Sequence, residues 1–187
     1  MKNEGNYKIA LTREAAVPQK AIVGEVLPEK KAFKCEILLD DALVAKYEMS
    51  EVFATLLPFS PPRTPEYKII ISADFLKKLQ RQDANAFFKL YREIGHIHHR
   101  DLLPKEHGEE TPAPKNGEPA EADLAADRFA MSYMGFALAV DGLKAIKKER
   151  EQLYEAAACG ETKEQRKIAV EEIEKRLLIL CEEACGE

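Results

Sequence analysis

The stretch DANAFFKLYREIGHIHHRD, residues 83–101, combines the pattern of a helix with a concentration of chemically active side chains. Asp83 can cap a helix, and apolar residues follow it at the spacing of one helical face, namely Phe87, Leu90, Tyr91, Ile94 and Ile97. Three of the four histidines in the chain lie in the second half of this stretch. The sequence therefore predicts a helix with one buried face and a histidine-rich end.

Part of this helix fits the pattern of a zinc hydrolase. In that pattern two ligands at positions i and i+4 hold the ion, and the residue after the first ligand supplies a carboxylate that deprotonates bound water. A third ligand comes from a second helix, so the full pattern is H-E-x-x-H followed by E-x-x-x-D. The chain has R-E-I-G-H at residues 92–96 and D-L-A-A-D at residues 123–127. The spacing is kept, but arginine replaces the first ligand and aspartate replaces the third.

Residues 51–147 resemble the soluble core of the gluzincin metallopeptidases related to CAAX-processing and heat-shock membrane proteases. They show a weaker likeness to the minimal zincins of phage and stress regulation. Five segments carry the resemblance in the right order: V-F-A-T at 52–55, the strand and helix at 67–79, the helix at 83–101, D-L-A-A-D-R-F-A at 123–130, and the continuation after Met134-Gly135. The resemblance implies a zincin-like α+β fold in which a peptide substrate adds as a strand beside the edge segment near residues 52–57.

Carried over to this chain, the resemblance makes Glu93 the general base and His96 the second metal ligand. Asp123 takes the position of the third ligand, and Asp127 takes that of the carboxylate that orients a ligand histidine. The first ligand falls on Arg92, whose guanidinium has no lone pair to donate and stays protonated in proteins. His96 and the short Asp123 side chain alone would form a weak zinc site.

Arg92 can instead take over the role of the metal ion. Without a metal, Glu93, Asp123 and Asp127 would be clustered carboxylates that repel one another, and a cation among them removes the repulsion. We therefore predict that the planar Arg92 guanidinium pairs with Asp123 and can also reach Glu93. His99, three residues after His96, is an alternative metal ligand; the competing interpretation is a surface histidine at a helix end.

The composition favours a soluble protein in the cytoplasm. The chain has 33 acidic and 28 basic residues and a net charge of -5, which argues against sequence-independent binding of nucleic acid. The first residues lead into no apolar signal core. The longest apolar stretch, residues 133–140, is far shorter than the roughly 20 residues of a membrane span. We expect no membrane span and leave the oligomeric state open.

We expect one α+β domain over residues 1–187, with a β-rich part at 1–72 and active-site helices at 73–148. Strands are predicted at 7–11, 21–26, 33–39, 42–47 and 67–71, and the proline-rich and glycine-rich residues 104–119 are predicted to form a mobile loop. Residues 149–187 are predicted to form a C-terminal helical extension. Its apolar stripe, Val170, Ile173, Leu177 and Leu180, could cover the core or pair with another chain, and the first is more common.

The four cysteines do not indicate a disulfide scaffold. Cys35 is predicted to be a buried apolar residue, and free thiols are expected at Cys159, Cys181 and Cys185. Cys181 and Cys185 would share a helix face, but their spacing matches no common zinc pattern.

Three functions remain open on the sequence. The favoured one is a degenerate metallopeptidase that has lost its metal chemistry and binds a peptide or protein partner. The alternative is an active zinc metallopeptidase with altered ligands, using His96, His99 and an aspartate. The third is an unrelated α+β binding module in which the motif is accidental.

Overall fold

The structure is a computed structural model that describes residues 7–12, 18, 20–28, 33–46, 51–57, 64–99, 102, 119–155 and 161–186. The described strands are β1 (Tyr7–Leu11), β2 (Lys20–Pro28), β3 (Lys34–Asp40), β4 (Val52–Leu56) and β5 (Glu66–Ile71). The described helices are α1 (Asp41–Val44), α2 (Ala73–Gln80), α3 (Ala84–His98), α4 (Glu121–Met134), α5 (Phe136–Glu155) and α6 (Glu161–Cys185). The predicted α+β class, with a β-rich front and an α-rich back, is confirmed.

The strands form one mixed sheet in the order β1-β2-β3-β5-β4. The central strands β3 and β5 are parallel, with Ile37 opposite Ile69, and the other three pairs are antiparallel. Both of these isoleucines are fully buried, as expected for strands at the middle of a covered sheet. In this order β4 has a partner strand on one side only, so it forms an edge of the described sheet.

The strand predicted at 42–47 is wrong. The side chain of Asp40 accepts a hydrogen bond from the backbone N–H of Leu43, at 3.0 Å, and this cap starts the short helix α1 directly after β3. The described residues do not include Tyr47, residues 104–118 of the loop predicted to be mobile, or Cys159.

Three helix boundaries lie at the capping or helix-ending residues that the sequence predicts. Ser72 and Asp83 cap α2 and α3 as predicted, because each side chain accepts a hydrogen bond from the backbone N–H three residues later. Helix α4 ends at Gly135, whose φ of 82° is a conformation that glycine adopts without strain. Helix α5 continues through residue 148, so the boundary proposed between 148 and 149 lies inside a helix.

Helix α3 contributes to two hydrophobic clusters. On its sheet side, Leu90, Ile94 and Ile97 pack in one cluster with the inner face of the sheet and with α2. On its other side, Phe88 packs with residues of α4, α5 and α6. Helix α5 packs closely against α3 at Gly142. A Cβ at this position would lie 2.4 Å from the Phe88 ring.

The apolar stripe of α6 packs within the chain, since Ile173 and Leu180 are buried in the cluster that contains Phe88. This is the more common of the two outcomes that the sequence left open. No helix in the described part of the chain combines the length and the apolar character needed to cross a bilayer.

Candidate functional site

The candidate site lies between α3 and α4, which approach closely at Gly95. A Cβ at Gly95 would lie 2.9 Å from the Cα of Ala126, closer than real Cβ atoms come to backbone. Glycine at this position therefore allows the two helices to touch. The contact brings Arg92 and His96 of α3 opposite Asp123 and Asp127 of α4. The structure thus joins four of the five residues that the motif singled out.

Arg92 connects the two aspartates of α4. Its Nε donates to Oδ1 of Asp127 at 2.8 Å, and its Nη2 donates to Oδ1 of Asp123. The predicted ion pair between Arg92 and Asp123 is present. The guanidinium is mostly withdrawn from solvent, since the Arg92 side chain is 16% exposed. Arg92 stands at the position of the family's first metal ligand. It is therefore bound to Asp123, which stands at the position of the third ligand.

Asp127 is the most buried member of the group, with 0% exposure. A second arginine, Arg176 of α6, also pairs with it. Arg176 Nε donates to Oδ2 of Asp127 and Arg176 Nη2 donates to Oδ1, both at 2.6 Å. Two oxygens thus accept three N–H groups from two arginines, and this satisfies a carboxylate that would otherwise be costly to bury. In this structure the described partners of Asp127 are arginines, whereas the family pattern would pair it with a histidine.

Arg176 is the residue that sequence analysis missed. A signal was present, because position 176 lies between Ile173 and Leu180 on the stripe predicted to be buried. An arginine on such a stripe requires a buried acidic partner. The sequence alone does not say that this partner lies 49 residues away on α4.

A third arginine, Arg150 of α5, adds positive charge near the pair. The pKa of Arg150 is lowered, first by burial and then by the charges of Arg92 and Arg176, while Glu149 and Glu172 act in the opposite direction. The carboxylates of Asp123 and Asp127 already have Arg92 and Arg176 as partners. The positive charge of Arg150 is thus offset in part by the carboxylates of Glu149 and Glu172.

The two histidines considered as metal ligands occupy different surroundings. His96 Nε2 lies 3.7 Å from Oδ1 of Asp123, the same oxygen that accepts from Arg92. His99 is exposed at the C-cap of α3, where its ring contacts His98 and Phe129. His99 thus has the location that the surface interpretation expected.

Glu93 faces the sheet edge instead of the ion pair. Its Oε2 accepts a hydrogen bond from the backbone N–H of Ala54 in β4, at 2.8 Å. The contact between Glu93 and Arg92 that the sequence suggested is not among the described contacts. Adjacent residues on a helix are about 100° apart, so Arg92 can face α4 while Glu93 faces β4.

The Ala54 N–H points away from the neighbouring strand. Leu57 N donates to Glu66 O across the β4–β5 pair, at 2.9 Å. Because successive N–H groups of a strand alternate in direction, those of residues 57 and 55 point to β5. That of Ala54 points to the other side of β4, where the described sheet has no further strand. Glu93 therefore caps an N–H group that another strand could use.

The residues present do not fit a zinc ion. Arg92 has no lone pair to donate, and Oδ1 of Asp123 is taken up by Arg92. Over the described ranges, no group of three or more histidine, cysteine, aspartate or glutamate side chains is arranged to hold a metal. A tetrahedral protein site needs three or four such donors, so the geometry offers no zinc chemistry to derive.

The described cysteines add no further chemistry to this site. Cys35 is buried in β3 as predicted, and burial raises the pKa of its thiol to about 12, which keeps it protonated and unreactive. Cys181 and Cys185 are free thiols on α6, one half-buried and one exposed. None of the three belongs to the group of Arg92, Asp123 and Asp127.

Neither a family model, nor a curated protein, nor a solved structure matches the chain. The likeness to zincins therefore stays a prediction from the sequence.

Proposed function

We propose that the chain is a degenerate relative of the zincin metallopeptidases that binds an extended peptide or protein segment and does not hydrolyse it. The observation that carries the proposal is the ion pair of Arg92 with Asp123 and Asp127. It supports a site in which a guanidinium has replaced the metal ion at the same place between the two helices. A peptidase without a metal lacks the activated water on which this class of hydrolysis depends.

The charge balance of the site supports the replacement. The positive charges of Arg92 and Arg176 match the negative charges of Asp123 and Asp127. All four groups form hydrogen-bonded ion pairs of the kind that arginine makes best. The group is therefore neutral without any metal.

The sheet edge supports the binding part of the proposal. Strand β4 lies at the edge of the described sheet, and its residues from Phe53 to Leu56 are only half-buried. An extended segment can add to such an edge through backbone hydrogen bonds, which do not depend on a metal. The site would then act as a peptide-binding groove between β4 and α3.

The test is the zinc content of purified protein, measured by elemental analysis with no metal added. We expect substoichiometric zinc in the wild type. Arg92→His would restore two histidines at i and i+4 and raise zinc affinity by orders of magnitude. Arg92→Gln is the matched control, because it removes the same charge without supplying a ligand.

Two results would contradict the proposal. One is a wild type that carries one equivalent of tightly held zinc that the His96→Ala variant loses. The other is a proteolytic activity of the purified protein that Glu93→Gln abolishes, since Glu93 would then be a general base acting on bound water. The latter result would establish the alternative function, an active metallopeptidase with altered ligands.

A further inference from the structure

The hydrogen bond between Glu93 and Ala54 differs from the other carboxylate contacts near β4. Glu51, just before β4, is held by ion pairs with Lys78 and Lys89, at 2.7 Å and 3.3 Å. The Glu93 carboxylate has a backbone N–H as its partner, and in the described part of the chain no lysine, arginine or histidine forms an ion pair with it. Among the described residues, the Glu93 carboxylate at the sheet edge therefore has a backbone N–H and no cation as its partner.

A strand that pairs with β4 must use the N–H group that Glu93 occupies. In antiparallel addition, the peptide residue directly opposite Ala54 accepts from the Ala54 N–H through its own carbonyl oxygen. The Glu93 carboxylate would have to leave this N–H. Once released it would be a half-buried charge that has lost its hydrogen bond, which is unfavourable unless the incoming peptide supplies a partner.

The side chain of that peptide residue would point towards Glu93. Residues directly opposite each other on neighbouring strands project to the same face of the sheet. Ala54 packs on the face covered by α3, the helix that carries Glu93. The residue opposite Ala54 would therefore direct its side chain to the same layer as the released carboxylate.

We propose that Glu93 is an exchangeable cap on β4 that selects extended peptides with a lysine or arginine opposite Ala54. The peptide carbonyl replaces the carboxylate on the Ala54 N–H, and the basic side chain then pairs with the carboxylate. This inference rests on the proposed peptide-binding function and names the class of peptide.

The probes are three fluorescein-labelled peptides of seven residues, alternating threonine and valine, with lysine, alanine or glutamate at the central position. Binding to the full chain is measured by fluorescence anisotropy at low ionic strength. We expect the lysine peptide to bind the wild type about fivefold more tightly than the alanine peptide, the size of one partly exposed ion pair. The glutamate peptide should bind most weakly, because its charge repels Glu93.

Three variants test the role of Glu93. Glu93→Gln keeps an acceptor for the Ala54 N–H but has no charge, so the lysine and alanine peptides should bind it within about twofold of each other. Glu93→Ala removes the cap, so the alanine peptide should bind it more tightly than it binds the wild type. Glu36→Gln is the matched control, because it removes one acidic charge from a different strand and should keep the preference for lysine.

The outcomes separate this inference from the proposed function. Equal binding of the lysine and alanine peptides to the wild type would overturn the inference and leave peptide binding intact. A lysine preference that persists in Glu93→Gln would also overturn it. If none of the three peptides binds the wild type or Glu93→Ala, the proposed function fails together with the inference.

Discussion

Arg92 and Glu93 are neighbours in the sequence, yet their side chains belong to two different regions. In the buried region between the helices, Arg92 and Arg176 form hydrogen-bonded ion pairs with Asp127. The region at the sheet edge, around Ala54, is half-buried and holds one carboxylate on one backbone N–H. The first arrangement can be changed only by breaking ion pairs inside the protein. The arrangement at the sheet edge can be changed by exchanging the single hydrogen bond between Glu93 and Ala54, so we expect a ligand to bind at this edge.

The largest effect should come from removing the carboxylate at the centre of the buried region. Asp127→Ala leaves Arg176 buried without its partner, and we expect a loss of about 3–5 kcal/mol in the free energy of unfolding. Urea denaturation followed by circular dichroism measures it. Asp123→Asn is the comparison, because Asp123 is 30% exposed and its loss should cost only about 1 kcal/mol.

A double substitution shows whether the stability lost in Asp127→Ala is due to the unpaired charge of Arg176. Asp127→Leu combined with Arg176→Met replaces the pair by apolar side chains and should recover much of the lost stability. If Asp127→Ala is as stable as the wild type, the buried ion pairs do not stabilise the protein more than the hydrogen bond at the sheet edge.

An intermediate effect is expected at the contact that brings the two helices together. Gly95→Ala adds a methyl group against the backbone of Ala126, which cannot move aside as a side chain can. The energetic cost of this crowding should exceed the gain from the higher helix propensity of alanine. We expect a net loss of about 1–2 kcal/mol in the free energy of unfolding. Gly186→Ala is the control, since the nearest atom to its Cβ lies 3.4 Å away. A stabilised Gly95→Ala variant would mean that α3 and α4 are not in close contact.

The smallest effect on stability is expected at the sheet edge. Glu93→Gln keeps an oxygen that can accept from Ala54 N, so the free energy of unfolding should change by less than about 0.5 kcal/mol. Glu93→Ala loses the hydrogen bond and should cost about 1 kcal/mol. Both values come from the same urea titration. A cost for Glu93→Gln as large as that for Asp127→Ala would show that the edge contact is as rigid as the buried ion pairs.

Local pattern or motif spacing was enough to predict strands β1, β2, β3 and β5, the caps of α2 and α3, and the pair of Arg92 with Asp123. Helix α1 was missed because its formation depends on one short-range contact, the Asp40 cap, and the short apolar run at 42–45 also fits a strand. The bond from Ala54 to Glu93 and the pair of Arg176 with Asp127 were missed for another reason. They join segments 39 and 49 residues apart, and only the packed helices and sheet decide which side chains meet.

The distance along the chain between Asp127 and Arg176 also affects how the protein is made. A ribosome adds about 5–20 residues per second, so the 49 residues between them take roughly 2–10 s to synthesise. Arg92 is translated before Asp127, so it is the first of the two arginines that can pair with this aspartate. Until Arg176 emerges, the nascent chain must carry Asp127 with one arginine in place of two. Completion of the buried ion pairs, and with it the packing of α6 against the other helices, therefore has to wait for the synthesis of α6.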